Sequence, residues 1–425
     1  MKNTRYHWVG EIPSNWEHIK LGYLCSLKGR IGWKGLRSDE FLENSYAYLV
    51  TGQDFRGDSI DWNACYQIEK GRYKEDPYIQ LREGDLLVTK DGTIGKIAKV
   101  GKLDKPACLN SGIFVLRQKA KRFDQGYLYW LLNSSLLTDY NSFVNSGAST
   151  IQHLYQNVFE RMPLLVPPIP EQQAIANFLD GKCAEIDGAL ADLDAEVKTL
   201  AEYKKSIIAE TVTRGLNPNA PMKPSGIPWA ETIPTHWTTA RGKYALRLLQ
   251  RQVKEDDGVV TCFRDGQVTL RSNRREDGFT MSDKEYGYQG IEPGDLVVHG
   301  MDGFAGAIGI SDSRGKGTPV LNVLDSDNNK RYLMYYLRNM AYGDVFLALS
   351  TGIRVRSCDL NWKKLGEIRI VLPPIDEQEA ISAYLDEKCA IIDQSIADKQ
   401  TQIETLKSYK SSLIYEYVTG KKQVI

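Results

Sequence analysis

One stretch of 47 residues occurs twice in this chain of 425 residues. Residues 167–213 return at 373–419 with a constant offset of 206, and the two copies share 25 identical residues without a gap. Agreement over that length is typical of an internal duplication and not of chance. Any fold of this chain must therefore contain two equivalent segments.

Both copies carry the signals of one long helix. Each copy opens with prolines, none follows Glu171 or Glu377 before the copy ends, and Gly215 and Gly420 provide C-terminal stops. Apolar residues recur at alternating steps of four and three, as in a coiled-coil seam: Ile186, Leu190, Leu193, Val197, Leu200 and Ile207, then Ile392, Ile396, Ile403, Leu406 and Leu413. A helix of this length is about 70 Å long and needs a partner. We therefore expect the two copies to pair.

The rest of the chain forms two diverged blocks, about 1–165 and 217–371. They open with GEIPSNWEHIKLG and ETIPTHWTTARG, and each contains an apolar strand followed by an Asp-Gly turn, in EGDLLVTKDGTIGKIAKV (83–100) and PGDLVVHGMDGFAGAIGI (293–310). Strands and helices mix without βαβ regularity, which predicts an α+β fold for each block.

The order of block, helix, block and helix sets the expected topology. If the first helix leads from block one to block two, the second must lead back, so the helices pair antiparallel in a pseudo-twofold internal repeat. The predicted domains are 1–165, a central helix at 166–216, a second globular domain at 217–371 and a C-terminal helix at 372–425. The two ends of the chain should then lie close together.

Charge is divided unevenly, although the chain as a whole is neutral. Residues 171–213 carry a net charge of −5 and 377–419 a net charge of −4, so the remainder carries +9. Acidic spacers with basic globular blocks suit the binding of a polyanion at the blocks. Acidic helices also favour solubility alone, so charge does not decide the function.

The chain resembles the specificity subunit of type I restriction-modification systems. The two Pro-Pro-Ile-x-Glu-Gln helices, the two GEIPSNW-like openings and the GDLLVTKDGTIGK hairpin carry the resemblance over essentially the whole chain. It implies two target-recognition domains that each bind one half of a split sequence in double-stranded DNA, with the helices as a spacer. It also implies two methyltransferase subunits docked on the helices, and restriction subunits in the full complex.

The resemblance implies no catalysis by this chain and no cofactor of its own, because AdoMet belongs to the methyltransferase subunit and ATP to the restriction subunit. The sequence agrees, since it contains neither an Asp/Asn-Pro-Pro-Tyr/Phe element nor a Walker A loop. GDLLVTK at 84–90 lacks the second carboxylate of a nuclease metal site. The alternative is a two-headed coiled-coil adaptor that binds proteins without recognising DNA sequence.

No CxxC pair occurs among the seven cysteines, which argues against structural zinc and against a disulfide framework. No apolar run approaches a membrane span, and the polar start MKNTRYHW lacks a signal-peptide core. We therefore expect a cytoplasmic protein that does not associate with membranes.

Candidate DNA-binding residues are basic, amide or hydroxyl side chains in the loops of the blocks, because Arg and Lys bind guanine or phosphate and Asn and Gln bind adenine. In block one they are Arg30, Lys34, Arg37, Lys90, Thr93, Ser149 and Gln152. In block two they are Arg264, Arg271, Asn273, Arg274, Arg275, His299, Arg354 and Arg356. For any one of them, a solvated surface charge is the competing interpretation.

The repeated helix starts supply the candidate partner-binding residues, Glu171, Gln172, Glu377 and Gln378. Lys204 and Lys410 fall near seam positions of the two helices. A polar residue there either fixes the register or extends its ammonium group to the surface, and we favour the second interpretation.

Overall fold

The structure is a computed structural model that describes residues 1–4, 6, 8–30, 35–144, 153–274, 286–349 and 360–424. The chain forms two compact units, Met1–Leu193 with Thr401–Ile425, and Asp194–Gln400. The division passes through both long helices, so each unit holds one block and part of each helix. The four predicted domain boundaries stay a prediction, because compactness groups the chain differently.

The first block contains thirteen strands within its described residues and leads into the first long helix. Its strands are β1 Lys2–Asn3, β2 Glu11–Ile12, β3 Glu17–Lys20, β4 Cys25–Gly29, β5 Ala47–Val50, β6 Phe55–Arg56, β7 Ser59–Ile60, β8 Tyr66–Ile68, β9 Leu86–Thr89, β10 Ile97–Lys99, β11 Ala107–Leu109, β12 Ile113–Gln118 and β13 Pro163–Val166. Its helices are α1 Leu21–Leu24, α2 Lys70–Lys74, α3 Gln125–Asn133, α4 Ser135–Val144, α5 Gln156–Phe159 and α6 Ile169–Arg214.

The second block contains twelve strands within its described residues, in a similar order at its start and end, and leads into the second long helix. Its strands are β14 Met222–Pro224, β15 Thr232–Pro234, β16 Thr238–Arg241, β17 Arg247–Leu248, β18 Val260–Cys262, β19 Val268–Leu270, β20 Gln289–Ile291, β21 Leu296–His299, β22 Ile308–Ile310, β23 Gly315–Gly317, β24 Leu321–Asp325 and β25 Arg369–Leu372. Its helices are α7 Gly242–Ala245, α8 Lys330–Tyr342, α9 Val345–Ala348, α10 Trp362–Glu367 and α11 Ile375–Val418.

Sheet topology confirms the α+β prediction and the internal repeat. Each block has an antiparallel four-stranded sheet, in the order β10-β9-β12-β4 in the first and β22-β21-β24-β17 in the second. A two-stranded sheet joins the start of each block to its end, β3 with β13 and β16 with β25. The two sequences have diverged while the strand order has stayed the same.

The strands predicted from Leu-Leu-Val and Leu-Val-Val are confirmed as β9 and β21. In both, the apolar residues are buried, and each strand pairs antiparallel with the strand that follows it, β10 or β22. The predicted hairpins are present with the Asp-Gly pairs in their loops, but the loops are longer than a two-residue turn. The first loop closes where Thr89 N donates to Lys96 O (3.0 Å), and the second where His299 N donates to Ala307 O (3.0 Å). These longer loops leave side chains at the end of the sheet.

A buried glutamine near the start of each long helix forms hydrogen bonds to the backbone of the block that precedes the helix. Gln172 is fully buried: its Oε1 accepts from Asp124 N (2.8 Å), and its Nε2 donates to Pro167 O (2.8 Å) and Arg122 O (3.0 Å). Gln378 is also buried and makes the equivalent bonds, accepting from Asn329 N (2.9 Å) and donating to Pro373 O (2.8 Å).

The glutamate immediately before each buried glutamine accepts a hydrogen bond from a buried tryptophan near the start of the block. Trp16 Nε1 donates to Glu171 Oε1 (3.0 Å), and Trp237 Nε1 donates to Glu377 Oε2 (2.8 Å). The interpretation of Gln172 and Gln378 as partner-binding residues is therefore wrong, because both side chains are buried inside the chain. Glu171 and Glu377 are hydrogen-bonded within it.

The end of each long helix packs against the block of the same unit. Tyr127 is fully buried, and its hydroxyl lies 3.2 Å from both Leu165 O and Val418 O. In the other unit, the Tyr332 hydroxyl lies 2.9 Å from Val371 O and 3.2 Å from Val212 O. The Tyr415 hydroxyl donates to Trp8 O (3.1 Å), so early and late parts of the chain are in contact, as expected.

Within each unit, the parts of the two long helices that it contains pack antiparallel. In the first unit, Lys410 Nζ lies 2.6 and 2.7 Å from the carboxylate oxygens of Asp187, and the rings of Phe178 and Tyr417 lie 4.5 Å apart. In the second, Lys204 Nζ lies 2.7 and 2.6 Å from the Asp393 oxygens. The seam lysines are thus paired across the helices, which favours a role in fixing the register over extension of the ammonium groups to the surface.

None of the helices within the described residues combines the length and the apolar character that crossing a membrane requires.

Replacing Gly420 by Ala should destabilise the first unit by about 1–2 kcal/mol, because this residue adopts a φ of 69° that an L side chain adopts only at a cost. A Cβ there would also lie 2.4 Å from Pro13 Cδ. Chemical denaturation measures the effect. Gly188→Ala, in open space on α6, is the matched control and should be neutral or stabilising. Equal stability of both variants would contradict this assignment.

A double-mutant cycle on Lys410 and Asp187 should give a coupling of about 0.2–1 kcal/mol, since the pair is partly exposed. The coupling should shrink at high salt because screening weakens exposed pairs. Denaturation of the wild type, Lys410→Ala, Asp187→Ala and the double variant provides the four values. A coupling of zero would show that the pair does not stabilise the antiparallel register.

Candidate nucleic-acid interface

A cleft of about 590 Å³ lies in the second unit beside the β21–β22 loop. Three of the predicted arginines line it, Arg264, Arg271 and Arg274. The hairpin of β18 and β19 places them there, because Arg264 follows β18 and the other two follow β19. His299, at the end of β21, faces the same cleft.

Two of these arginines are held in place by aspartates of the cleft. Arg264 Nη2 lies 2.7 Å from Asp302 Oδ1, and Arg274 Nη2 lies 2.6 Å from Asp265 Oδ2. The Arg274 guanidinium also lies 4.3 Å from the ring centroid of Phe263. These contacts order the guanidinium groups before any ligand binds, which lowers the entropy cost of binding.

Arg271 completes the basic lining of the cleft. Its Nε donates to Thr261 Oγ1 at 3.4 Å. Three arginines therefore outnumber the two aspartates, and the cleft retains positive charge. Planar guanidinium groups with several donors suit phosphate oxygens and the acceptor edge of guanine.

His299 is largely buried, and its ring orientation is fixed by the β21–β22 loop. Its Nδ1 accepts from Met301 N (3.2 Å) and Asp302 N (3.0 Å). Burial lowers the pKa of this imidazole, and the nearby Arg264 lowers it further against the opposing effect of Asp302. The ring is therefore neutral near pH 7, and its proton sits on Nε2 because Nδ1 is an acceptor.

The first unit has a cleft of about 490 Å³ beside its own hairpin loop. Lys90 lines it, with Nζ 5.1 Å from the ring centroid of Phe114. His153 Nδ1 lies 2.8 Å from Asp91 Oδ1 on the same cleft. Both clefts therefore lie at the same end of equivalent sheets, with different side chains.

The position of Arg30 in the structure contradicts its prediction as a DNA-contacting residue. It lines the first cleft but is only 3% exposed. Its Nε donates to Leu109 O (3.0 Å), and its Nη2 lies 3.4 Å from Cys108 Sγ. A guanidinium committed to the interior of the domain supports the loop, so the assignment of Arg30 as a DNA contact is wrong.

Other predicted residues are exposed but do not line either cleft. Arg37 precedes a short 3-10 helix, Thr93 lies at the tip of the first hairpin loop, and Asn273 donates to Thr269 Oγ1 (2.9 Å). The remaining predictions fall outside the described residues: Lys34, Ser149, Gln152, Arg275, Arg354 and Arg356.

Sequence reasoning missed the acidic and histidine partners of these clefts. Asp265 and Asp302 position Arg274 and Arg264, and the pair of Asp91 and His153 lies beside Lys90. Each aspartate is distant in sequence from its partner, or looks like an ordinary turn residue, so composition gave no signal. The pairing of Trp16 with Glu171 could have been found, because both residues recur in the second copy.

A family model supports the same interpretation. Residues 13–187 match the Type I restriction modification DNA specificity domain. Among curated proteins, the type I restriction enzyme MjaVIII specificity subunit of Methanocaldococcus jannaschii is 24% identical over 433 residues, covering 97% of this chain and 94% of the relative. The StySPI specificity subunit of Salmonella potsdam is 20% identical over 425 residues, covering 97% and 90%.

Solved structures share the fold. A chain from a structural study of complex assembly and conformational transition in the type I R-M system matches with a TM-score of 0.70 and 16% identity, over 97% of this chain and 100% of that one. The HsdS subunit of Thermoanaerobacter tengcongensis matches with a TM-score of 0.51 and 16% identity, over 97% and 98%. With its duplicated blocks and helices, the chain is similar over nearly its whole length to specificity subunits of type I restriction-modification systems.

Acidification should destabilise the second unit through His299. Its folded pKa is lowered, so the unfolded state binds a proton first, below its ordinary pKa of about 6.5. The contribution is fully present above that pH and is lost as pH falls, with a slope of at most about 1.4 kcal/mol per pH unit. Denaturation at several pH values should show a shallower acid loss for His299→Asn than for the wild type. Identical slopes would mean that His299 is not kept neutral by the fold.

Proposed function

We propose that this chain is the DNA sequence-specificity subunit of a type I restriction-modification complex, and that each block recognises one half of a bipartite, asymmetric target. The observation that carries the proposal is the repeated scaffold with unlike clefts. The sheets and the helix junctions are equivalent, whereas one cleft presents Lys90 and the other presents Arg264, Arg271 and Arg274. A conserved frame with different lining residues suits two different half-sites.

The chemistry of the clefts supports duplex DNA as the ligand. Arginine can form paired hydrogen bonds with guanine O6 and N7, and the other cations can neutralise phosphates. The acidic helices would be repelled by phosphate, so the charge distribution favours binding at the blocks. Lys90, Arg264, Arg271 and Arg274 are the contacts we propose, and Arg37, Thr93 and Asn273 remain candidates at the exposed loops.

The long helices serve as the spacer between the half-sites and as the docking surface for two methyltransferase subunits. The docking surface we propose is the exposed faces of α6 and α11, where Tyr203 and Tyr409 occupy equivalent positions and are 56% and 53% exposed. Exposed tyrosines are frequent contacts in protein interfaces. Glu171 and Glu377 remain docking candidates at the helix starts, although their second carboxylate oxygens also lie against Asn15 Nδ2 (3.5 Å) and His236 Nε2 (2.6 Å).

In the assembled complex, the methyltransferase subunits bring AdoMet and the restriction subunits bring ATP, while this chain provides recognition without catalysis. We place the complex in the cytoplasm, where host DNA is modified. The comparisons support DNA specificity over the whole chain and give no support to a protein-binding adaptor.

Affinity for target duplex, measured with the methyltransferase subunits present, should fall steeply with salt. Neutralising each phosphate contributes a slope of about −0.9 to the plot of log K against log salt. Fluorescence anisotropy over a range of salt concentrations measures it. A flat response would contradict binding through the basic clefts.

Arg271→Ala with Arg274→Ala should weaken recognition of one half-site only, by roughly 1–3 kcal/mol for each lost base contact. Duplexes mutated in either half-site distinguish the two domains. Arg241→Ala is the matched control, because Arg241 is exposed and paired with Glu367 outside the cleft. Equal losses at both half-sites would show that these arginines do not determine sequence preference.

A further inference from the structure

The two hairpin loops contain equivalent residues with unlike side chains, Thr89 and His299. Each ends its strand and lies opposite the first residue of the neighbouring strand, since Thr89 pairs with Ile113 and His299 with Leu321. Each follows the same Gly-Asp-Leu-x-Val sequence. The comparison shows what the loop itself requires at this position.

The loop requires a side-chain acceptor for a backbone N–H, and threonine provides it within the protein interior. Thr89 is 2% exposed; its Oγ1 accepts from Lys96 N (2.9 Å) and donates to Thr93 O (2.5 Å). Both functions of the hydroxyl are used inside the loop. The buried hydroxyl of Thr89 is therefore not available to a ligand.

His299 also provides a side-chain acceptor to its loop, but to different N–H groups: those two and three residues on, where Thr89 accepts from the residue seven positions on. The imidazole has a second ring nitrogen that these bonds do not use. Nδ1 accepts from Met301 N and Asp302 N, so Nε2 carries the proton. The Asp302 Oδ2 atom lies 4.0 Å from Nε2, beyond hydrogen-bonding distance, and Asp302 Oδ1 is bonded to Arg264. Within the part of the chain that the structure describes, Nε2–H has no acceptor, and its ring lines the cleft.

We propose that His299 is a base-recognising residue of the second domain, whose Nε2–H donates to an acceptor atom on the edge of a base bound at this cleft. The proposal rests on the DNA-specificity function proposed above and assigns one determinant of the target. The fixed ring gives the donor one direction, whereas the guanidinium groups of Arg264 and Arg274 already direct donors to Asp302 and Asp265. Positioning of the donor before binding is what discrimination between bases requires.

The chemistry of the donor limits the base that it can accept. In the major groove, guanine offers N7 and O6, adenine offers N7 and thymine offers O4, whereas cytosine offers the N4 amino donor. A single neutral N–H donor therefore disfavours cytosine at the contacted position. Arg264 and Arg271, on the same cleft, can contact the phosphates or a neighbouring guanine.

The test uses the complete methyltransferase complex and duplexes in which each position of the target is changed to all four bases. His299→Asn retains an acceptor for the loop, since an asparagine oxygen can accept from backbone N–H groups two and three residues on. Its amide is shorter than imidazole and does not reach as far into the cleft. His18→Asn, an exposed histidine of the other unit, is the control.

The wild-type complex should disfavour cytosine at one position of one half-site, and His299→Asn should reduce that discrimination by about 5-fold to 100-fold, the range for a specific base contact. Preferences at the other half-site should not change. His299→Asp, which also retains the loop acceptor and replaces the donor with an acceptor, should shift the preference toward bases with an amino donor. This second variant decides the question if the asparagine variant folds poorly.

Two results would overturn the assignment of His299. One is a uniform loss of affinity with unchanged base preferences, which would make it a phosphate contact. The other is unchanged affinity and unchanged preference in both variants, which would limit it to the loop. If the wild-type complex itself showed no sequence preference, the DNA-specificity function would fail together with this proposal. A specific wild type with insensitive variants refutes only the role of His299.

Discussion

The attachment of each block to its helix is the constraint on which the rest of the structure depends. A buried glutamine at the helix start bonds to the backbone of the block on one side and to the preceding prolyl carbonyl on the other. A buried amide left without partners costs about 1–3 kcal/mol, so neither side can shift freely. The neighbouring Trp16–Glu171 and Trp237–Glu377 bonds add a second fixed point. Because both junctions use the same residues, both blocks are held on their helices in the same way.

This attachment explains why the repeated part of the chain and the diverged part are separated. Residues of the junction and of the seam are committed to contacts inside each unit, and they recur between copies. Residues at the far end of each four-stranded sheet are free to differ, as Thr89 and His299 do. A half-site preference can therefore change through loop residues while the helix, the junction and the docking surface stay constant. Charge follows the same separation, because the repeated helices are acidic and the clefts of the diverged blocks carry the basic side chains.

Much of the fold could be predicted from the sequence, because the repeat supplied its own internal comparison. The helices, their stops at Gly215 and Gly420, the seam and the buried strands β9 and β21 all follow from periodicity and from turn residues. The functions of Gln172 and Gln378 could not be predicted, since repetition marks a residue as constrained without saying whether a partner or the chain's own block constrains it. The assignment of Arg30 as a DNA contact was wrong for a related reason. Its burial depends on hydrogen bonds to backbone carbonyls such as Leu109 O, which the local sequence does not reveal. Arg264 and Arg274 were found by charge, but their aspartate partners required the structure.

The central claim is that two unlike domains on one repeated scaffold each specify half of a DNA target. Methylome sequencing of a host that carries the complete system tests it most directly. We expect one methylated motif made of two different short half-sites, separated by a fixed number of unspecified base pairs. A single continuous motif, or two identical half-sites in a palindrome, would contradict it.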